Sequence, residues 1–165
     1  MKNMVIRKAK IDELENILLL SDELTISDLP FDKKVDVNWA HTINGQKHYE
    51  EKIKEISGVC FVAEINGKIF GYLTAAKKEV PSFRLVKVAE LENIFVKKEF
   101  RGNGAGKMLM DKFKEWAKEI KADKVAVSVF ALNEKAIKFY KREGFMPQDL
   151  NLEMYLKISP HSSTS

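Results

Sequence analysis

The chain has 165 residues, is 45% hydrophobic and 32% charged, and carries a formal net charge of +4. That length favours one domain that can bury a core without covalent staples, and the single cysteine, Cys60, excludes an internal disulfide. Lysines are scattered rather than clustered, which argues against a nucleic-acid face. No apolar run reaches the ~18–20 residues of a membrane span, and MKNMVIRKAK lacks the apolar heart of a signal peptide, so a cytoplasmic protein is expected.

Met4 to Ala9 reads as a first strand, and Ile11, Leu14, Ile17, Leu18 and Ser21 follow helical spacing over Ile11 to Leu24. Thr25 to Asn44 has no clean period and contains Pro30, so a loop with a short helix around Val35 to His41 is expected. Tyr49, Ile53 and Ile56 place a helix at Gln46 to Ser57, stopped by Gly58. Val59–Ile65 and Lys68–Lys77 flank Asn66-Gly67, a strong hairpin signal. Cys60 lies inside the first of these runs and reads as a buried thiol. A third extended run covers Leu85 to Val96. Ala105, Met108, Leu109, Phe113, Trp116, Ala117 and Ile120 then form one apolar helix stripe. Val125, Val127 and Val129 alternate as a strand, and Asn133 caps a helix that Gly144 ends near Glu143. Leu150, Leu152, Met154, Leu156 and Ile158 alternate over a closing strand, with residues 159–165 as a disordered tail.

This order predicts a single α/β domain over residues 1–158, with a mixed sheet and helices on both faces. His41, His48 and His161 are isolated, and no spacing of His or Cys suggests a metal.

Between the third run and the long helix stand Gly102, Gly104 and Gly106, preceded by Arg101. A Walker A loop would need Gly at position 101 and Ser or Thr at 108, where Arg and Met stand. A dinucleotide fingerprint needs G-x-G-x-x-G, whereas the spacing here is G-x-G-x-G. One glycine suffices for a tight strand-to-helix turn, so three suggest close approach by another group. A helix start offers unpaired N–H groups and partial positive charge, and Arg101 adds a planar donor fork. The segment Arg101–Lys107 therefore predicts a phosphate site.

Arg101, Gly104 and Gly106, as R-x-x-G-x-G, resemble the acetyl-CoA signature of the GCN5-related N-acetyltransferase (GNAT) family. The preceding ELENIFV resembles the family's central strand, and Asn133, Ala136, Tyr140 and Gly144-Phe145 match its second motif. Spermidine/spermine-type acetyltransferases are among the similar members. The resemblance implies a mostly antiparallel central sheet, splayed between the central strand and the Val125–Val129 strand. In that cleft Ile94, Phe95 and Val96 would line the pantetheine arm, and Gly102, Asn103, Gly104, Ala105, Gly106 and Lys107 would hold the diphosphate. Asn133 and Ala136 would adjoin the arm, and Tyr140 would face the sulfur. The implied cosubstrate is acetyl-CoA, with no metal. The implied partner is a small-molecule or peptide amine, with neither nucleic acid nor membrane involved; a homodimer is an open expectation. The short stretch after Phe145 leaves one wall of the acceptor pocket low.

The chemistry implied is attack of a primary amine on a thioester. An amine of ordinary pKa is only about 0.04% neutral at pH 7, so the site must remove a proton. Alternation places Glu90, Glu92, Ile94 and Val96 on one strand face. Glu92 is the expected base, with a structural ion pair as its alternative and Glu90 as the other candidate. Asp22, Glu23, Asp28, Asp32 and Asp36 offer an acidic rim for a cationic acceptor, a polyamine or another small amine. Acetylation of a protein amino group, or acyl-CoA binding without turnover, remain the alternatives.

Overall fold

The computed structural model describes residues 3–156. Five strands form one sheet in chain order: β1 (Met4–Lys8), β2 (Val59–Ile65), β3 (Lys68–Lys78), β4 (Val88–Val96) and β5 (Lys124–Val127). Neighbours pair antiparallel except β4 and β5, which run parallel. A parallel pair needs a crossover, and α3 (Ala105–Glu119) supplies it. Helices α1 (Leu14–Asp28) and α2 (Ile43–Ile53) lie between β1 and β2 in the chain, and α4 (Glu134–Arg142) follows β5.

The two sheet faces carry separate cores. Leu109, Met110, Phe113 and Trp116 of α3 pack with Phe61, Leu73 and Leu91, and Tyr140 of α4 joins them. On the other face Ile17, Leu18 and Leu20 of α1 and Tyr49 of α2 pack with Val62, Tyr72 and Phe95. Cys60 is buried in this second core, and burial pushes its thiol well above its ordinary value. The β2–β3 hairpin turns through Asn66 and Gly67, both at positive φ, which matches the twist of the strands.

Several expected boundaries move. A 3-10 turn occupies Ile11–Glu13, and α1 runs on to Asp28, so Thr25–Asp28 are helical rather than loop. The short helix expected near Val35 is a 3-10 turn at Trp39–His41. Helix α2 starts earlier than its apolar spacing suggested, because the Thr42 hydroxyl accepts from the Gly45 N–H. Strand β4 starts at Val88, and β5 ends at Val127 rather than Val129.

The closing strand is not formed. Residues 145–155 are irregular, and Leu150, Leu152, Met154, Tyr155 and Leu156 are 76% to 88% exposed. Alternation states which face a strand would bury; it does not supply a partner edge, and this segment has no ladder. Ile158 and the expected disordered tail lie outside the described residues.

Candidate active site

The site begins with an extra residue in β4. Thr74 pairs with Asn93 and Ala75 with Leu91, so Glu92 is left without a partner in β3. Such a bulge bends the strand and re-aims its side chains. It also shifts the alternation. Ala89 and Leu91 share a core with Ile94 and Val96, while Phe95 joins the opposite one. The expectation that Glu92, Ile94 and Val96 point one way is therefore corrected. Glu92 faces α2, and Ile94 and Val96 face α3. On the other edge of β4, the ladder to β5 stops at Leu91 and Val127. From Glu92 to Val96 the two strands part, and the gap opens into a cleft of about 1350 Å³.

One end of the cleft is the start of α3. Gly102 and Gly104 hold positive φ, and a Cβ on either would meet nothing within 4 Å. Their glycines answer a backbone need. Gly106 differs: a Cβ there would approach Phe139 of α4 at 3.3 Å. The close approach that the third glycine suggested is made by the protein's own side chain. Gly104 is the N-cap and offers no side-chain cap, so the first amides of α3 are left without intrahelical partners at the cleft. Arg101 donates through Nε to the Val96 carbonyl at 2.7 Å, and its guanidinium lies 5.3 Å from the Phe95 ring centre. Lys107 pairs with Asp111 one turn on, at 2.9 Å.

Tyr140 forms part of the wall, packed edge-on to Phe139 and Phe145 at 5.4 and 5.7 Å. Burial, and then the charge of Asp28, push its phenol up to about 12. Asn133 caps α4 by accepting from the Ala136 N–H at 3.1 Å. Glu92 and every residue expected to adjoin acetyl-CoA line this one cleft except Asn103. The Asn103 side chain folds back toward the carbonyls of Phe100 and Arg101. Glu90 is also absent from the lining; it pairs with Lys78 at 2.6 Å.

Glu92 lines the cleft with company that the sequence did not disclose. Lys52 of α2 is 3% exposed, and its Nζ donates to Glu92 Oε1 and to the Ser57 carbonyl, both at 3.0 Å. His48 Nε2 lies 3.7 Å from Glu92 Oε2. Burial lowers the His48 pKa, the Glu92 charge opposes that, Lys52 adds to it, and Glu51 opposes it. His48 and Lys52 stand four apart on one helix face, a spacing visible in the sequence, but their partner is 40 residues from Lys52.

The acidic rim reduces to one residue. Asp22 binds His41 at 2.7 Å, Glu23 pairs with Lys97 at 3.3 Å, and Asp32 and Asp36 accept from the backbone of Lys34 and Asn38. Of the five, Asp28 alone lines the cleft, and desolvation raises its pKa. Phe31 stacks on Phe130 at 5.8 Å, joining the end of the α1 region to the loop after β5 across the mouth. Neither aromatic was picked out from the sequence, where both sit in stretches without a period.

The acetyltransferase (GNAT) family model matches residues 23–145, and the chain belongs to that family. An uncharacterized N-acetyltransferase of Methanocaldococcus jannaschii is 38% identical over 90 residues, covering 54% of this chain and 40% of that protein. An N-alpha-acetyltransferase of Sulfurisphaera tokodaii is 31% identical over 105 residues, covering 59% of this chain and 62% of that protein. The chain thus spans less than two thirds of either relative. The aminoglycoside N-acetyltransferase AAC(6')-Iy, solved in complex with CoA, superposes with a TM-score of 0.70 at 21% identity, over 94% of this chain and 95% of that one. Among the described residues no helix is long and apolar enough to cross a membrane.

Proposed function

We propose that the chain transfers the acetyl group of acetyl-CoA to a primary amine by direct attack within a ternary complex. The observation that carries this is the parting of β4 and β5 at Glu92, with uncapped helix amides at one end of the gap and Tyr140 along its wall. The residues present suit the cosubstrate. The amides of Gly102 and Gly104 to Lys107 would hold a diphosphate at the positive end of α3. The β5-facing edge of Ile94 to Val96, which has no strand partner beyond Leu91, would accept an extended amide-bearing arm as an added strand, with Asn133 and Ala136 opposite. That the superposed aminoglycoside enzyme was solved in complex with CoA supports CoA as the cosubstrate.

Glu92 would take the proton of the incoming ammonium, directly or through water, and so supply the neutral amine. Backbone N–H groups of the parted strand, Val96 among them, would bind the carbonyl oxygen as it gains charge. Tyr140 would donate a hydrogen bond to the sulfur as the C–S bond breaks. The acceptor would be a small cationic amine, drawn by Glu92 and Asp28, with the Phe31–Phe130 pair over the alkyl chain. A second reading, acetylation of a protein N-terminus, is supported by the name of the Sulfurisphaera relative.

The test is release of free thiol from acetyl-CoA across a panel of diamines, polyamines, aminoglycosides and short peptides with free N-termini. Turnover of alkyl amines above peptides is expected, and the reverse order selects the second reading. Release of no thiol with any amine sinks both. In Glu92→Gln, kcat/KM is expected to fall at neutral pH, with the deficit shrinking toward the amine pKa.

A further inference from the structure

Beyond the cleft, Glu92 has a second side, and two groups on α2 occupy it. Lys52 holds Oε1 from within the protein; its ammonium is almost wholly enclosed and spends a second donor on the Ser57 carbonyl. A buried ion pair needs such extra hydrogen bonds to offset desolvation, and Lys52 and Glu92 have them without any histidine. His48 nonetheless stands over the remaining oxygen. The 3.7 Å between Nε2 and Oε2 is beyond a hydrogen bond, so a proton passes only when the two groups draw together to hydrogen-bond distance. The imidazole is fixed edge-on by Trp39 at 5.5 Å and by Tyr49 at 5.2 Å, and Tyr49 is itself anchored by Ser21 at 2.7 Å. Neither His48 nor Lys52 lines the cleft, whereas Glu92 does. The carboxylate therefore stands between the cleft and an imidazole whose side chain is 29% exposed.

We infer that His48 is the proton exit of this site, receiving through the Glu92 carboxylate the proton that the acceptor ammonium must lose. This rests on the acetyltransferase reading above. Burial disfavours the charged imidazole, so His48 is neutral near pH 7 and has a free nitrogen to offer. The charges facing it are Glu92 of β4 and Lys52 and Glu51 of its own helix. In order, an ammonium N–H passes its proton to Glu92 Oε2, the carboxyl passes it to His48 Nε2, and the imidazolium releases it to water. The freed nitrogen lone pair forms the C–N bond, the C–S bond breaks, and the second nitrogen proton ends on the sulfur. One thioester and one ammonium yield one amide, one thiol and one proton in solvent. Lys52 is a positioning residue: it holds Oε1 and so leaves Oε2 to take the proton and hand it on.

The experiment compares His48→Gln with wild type on the amine that wild type turns over best. The variant is expected to lose about 10-fold or more of kcat at pH 7, with an unchanged KM for acetyl-CoA. The loss should shrink as pH nears the amine pKa, and added imidazole should restore rate. A pH profile that superposes on wild type overturns the relay, and so does a pH-independent loss that imidazole leaves untouched. A second arm needs no turnover. NMR titration of the His48 ring should give a lower pKa in Glu92→Gln than in wild type, because an opposing charge has gone. An unchanged value overturns the relay even if every amine fails. Failure of all amines with wild type, by contrast, removes the acetyltransferase reading.

Discussion

Tyr140 is held by its surroundings as a donor and not as an acid. To protonate a thiolate of ordinary value near 8.5, a phenol at about 12 would work uphill by about 5 kcal/mol. A hydrogen bond to the departing sulfur carries no such cost, and a phenol this hard to ionise stays a donor throughout the working range. Tyr140→Phe is therefore expected to lower kcat by about 10²-fold, the scale of one lost donor to developing charge, while KM for acetyl-CoA stays near wild type. Single-turnover rates check it, and unchanged chemistry in the variant excludes the role. The same shift bears on stability. Because the folded value lies above the unfolded one, the contribution is full below about pH 10 and is lost as pH rises toward about 12. Tyr140→Phe should flatten that alkaline decline of Tm.

At the scale of elements, the turn into α3 separates two reasons for glycine. Gly104→Ala forces a side chain into left-handed backbone, at about 1–2 kcal/mol, with no contact to relieve. Gly106→Ala gains up to ~1 kcal/mol of helix propensity but presses on Phe139. Its effect on stability should therefore be more favourable in a Phe139→Leu background than in wild type, and urea denaturation of the four proteins reads the coupling. The link between α1 and the Trp39–His41 turn is also titratable. The Asp22 hydrogen bond raises the His41 pKa. Its contribution is full below the ordinary histidine value and fades as pH rises through the raised one. Tm against pH for wild type and His41→Gln should converge above neutrality; parallel curves would mean that the pair contributes nothing. His48, with a lowered pKa, works in the opposite direction: its contribution is present above the ordinary value and lost as pH falls through the lowered one. These elements were legible to different degrees. The α3 stripe, the Asn133 cap and the Asn66-Gly67 turn are local features, and each signal lies within a few residues of its effect. The Glu92 bulge is a relation between β3 and β4, so alternation within β4 alone points Ile94 and Val96 to the wrong face. Lys52 and His48 were hidden for the same reason, since a lysine four residues after a histidine gains meaning only when a carboxylate arrives from another strand.

For the whole molecule, the sequence specified the layers better than the edges. Apolar periodicity reports burial: Ile17, Leu18, Tyr49, Leu109, Phe113 and Trp116 are buried as it expected, whereas Ile11, Ile56 and Val129 stay exposed at the ends of their runs. The run from Leu150 carries equally clean alternation yet lies exposed, and the sheet ends at the four-residue β5. The cleft also joins elements from both faces: Asp28 and Phe31 come from the α1 side, and Gly104 and Tyr140 from the α3 and α4 side. A ligand bridging them should tie the halves together, so acetyl-CoA at 100 times its Kd should add about 2.7 kcal/mol to unfolding. Pantetheine without the diphosphate should raise Tm much less at equal concentration. Equal shifts would remove the α3 amides from the binding role, and calorimetric or fluorescence melting decides between them.

The unpaired residue in β4 separates the count of the strand from the count of its ladder. Glu92→Gln alters one charge and leaves the reading frame of the strand intact. Deleting position 92 would remove the extra residue itself, leaving Asn93 opposite Thr74 directly after Leu91 opposite Ala75, with Ile94 and Val96 still toward α3 and Phe95 still toward α2. The chain lacking residue 92 should therefore remain in the soluble fraction yet lose activity, because the bulge and its carboxylate go while the ladder stays; an aggregated product would show that the bulge is needed for folding. A chain of this design carries its chemistry at Glu92 on a residue that the ladder itself does not require.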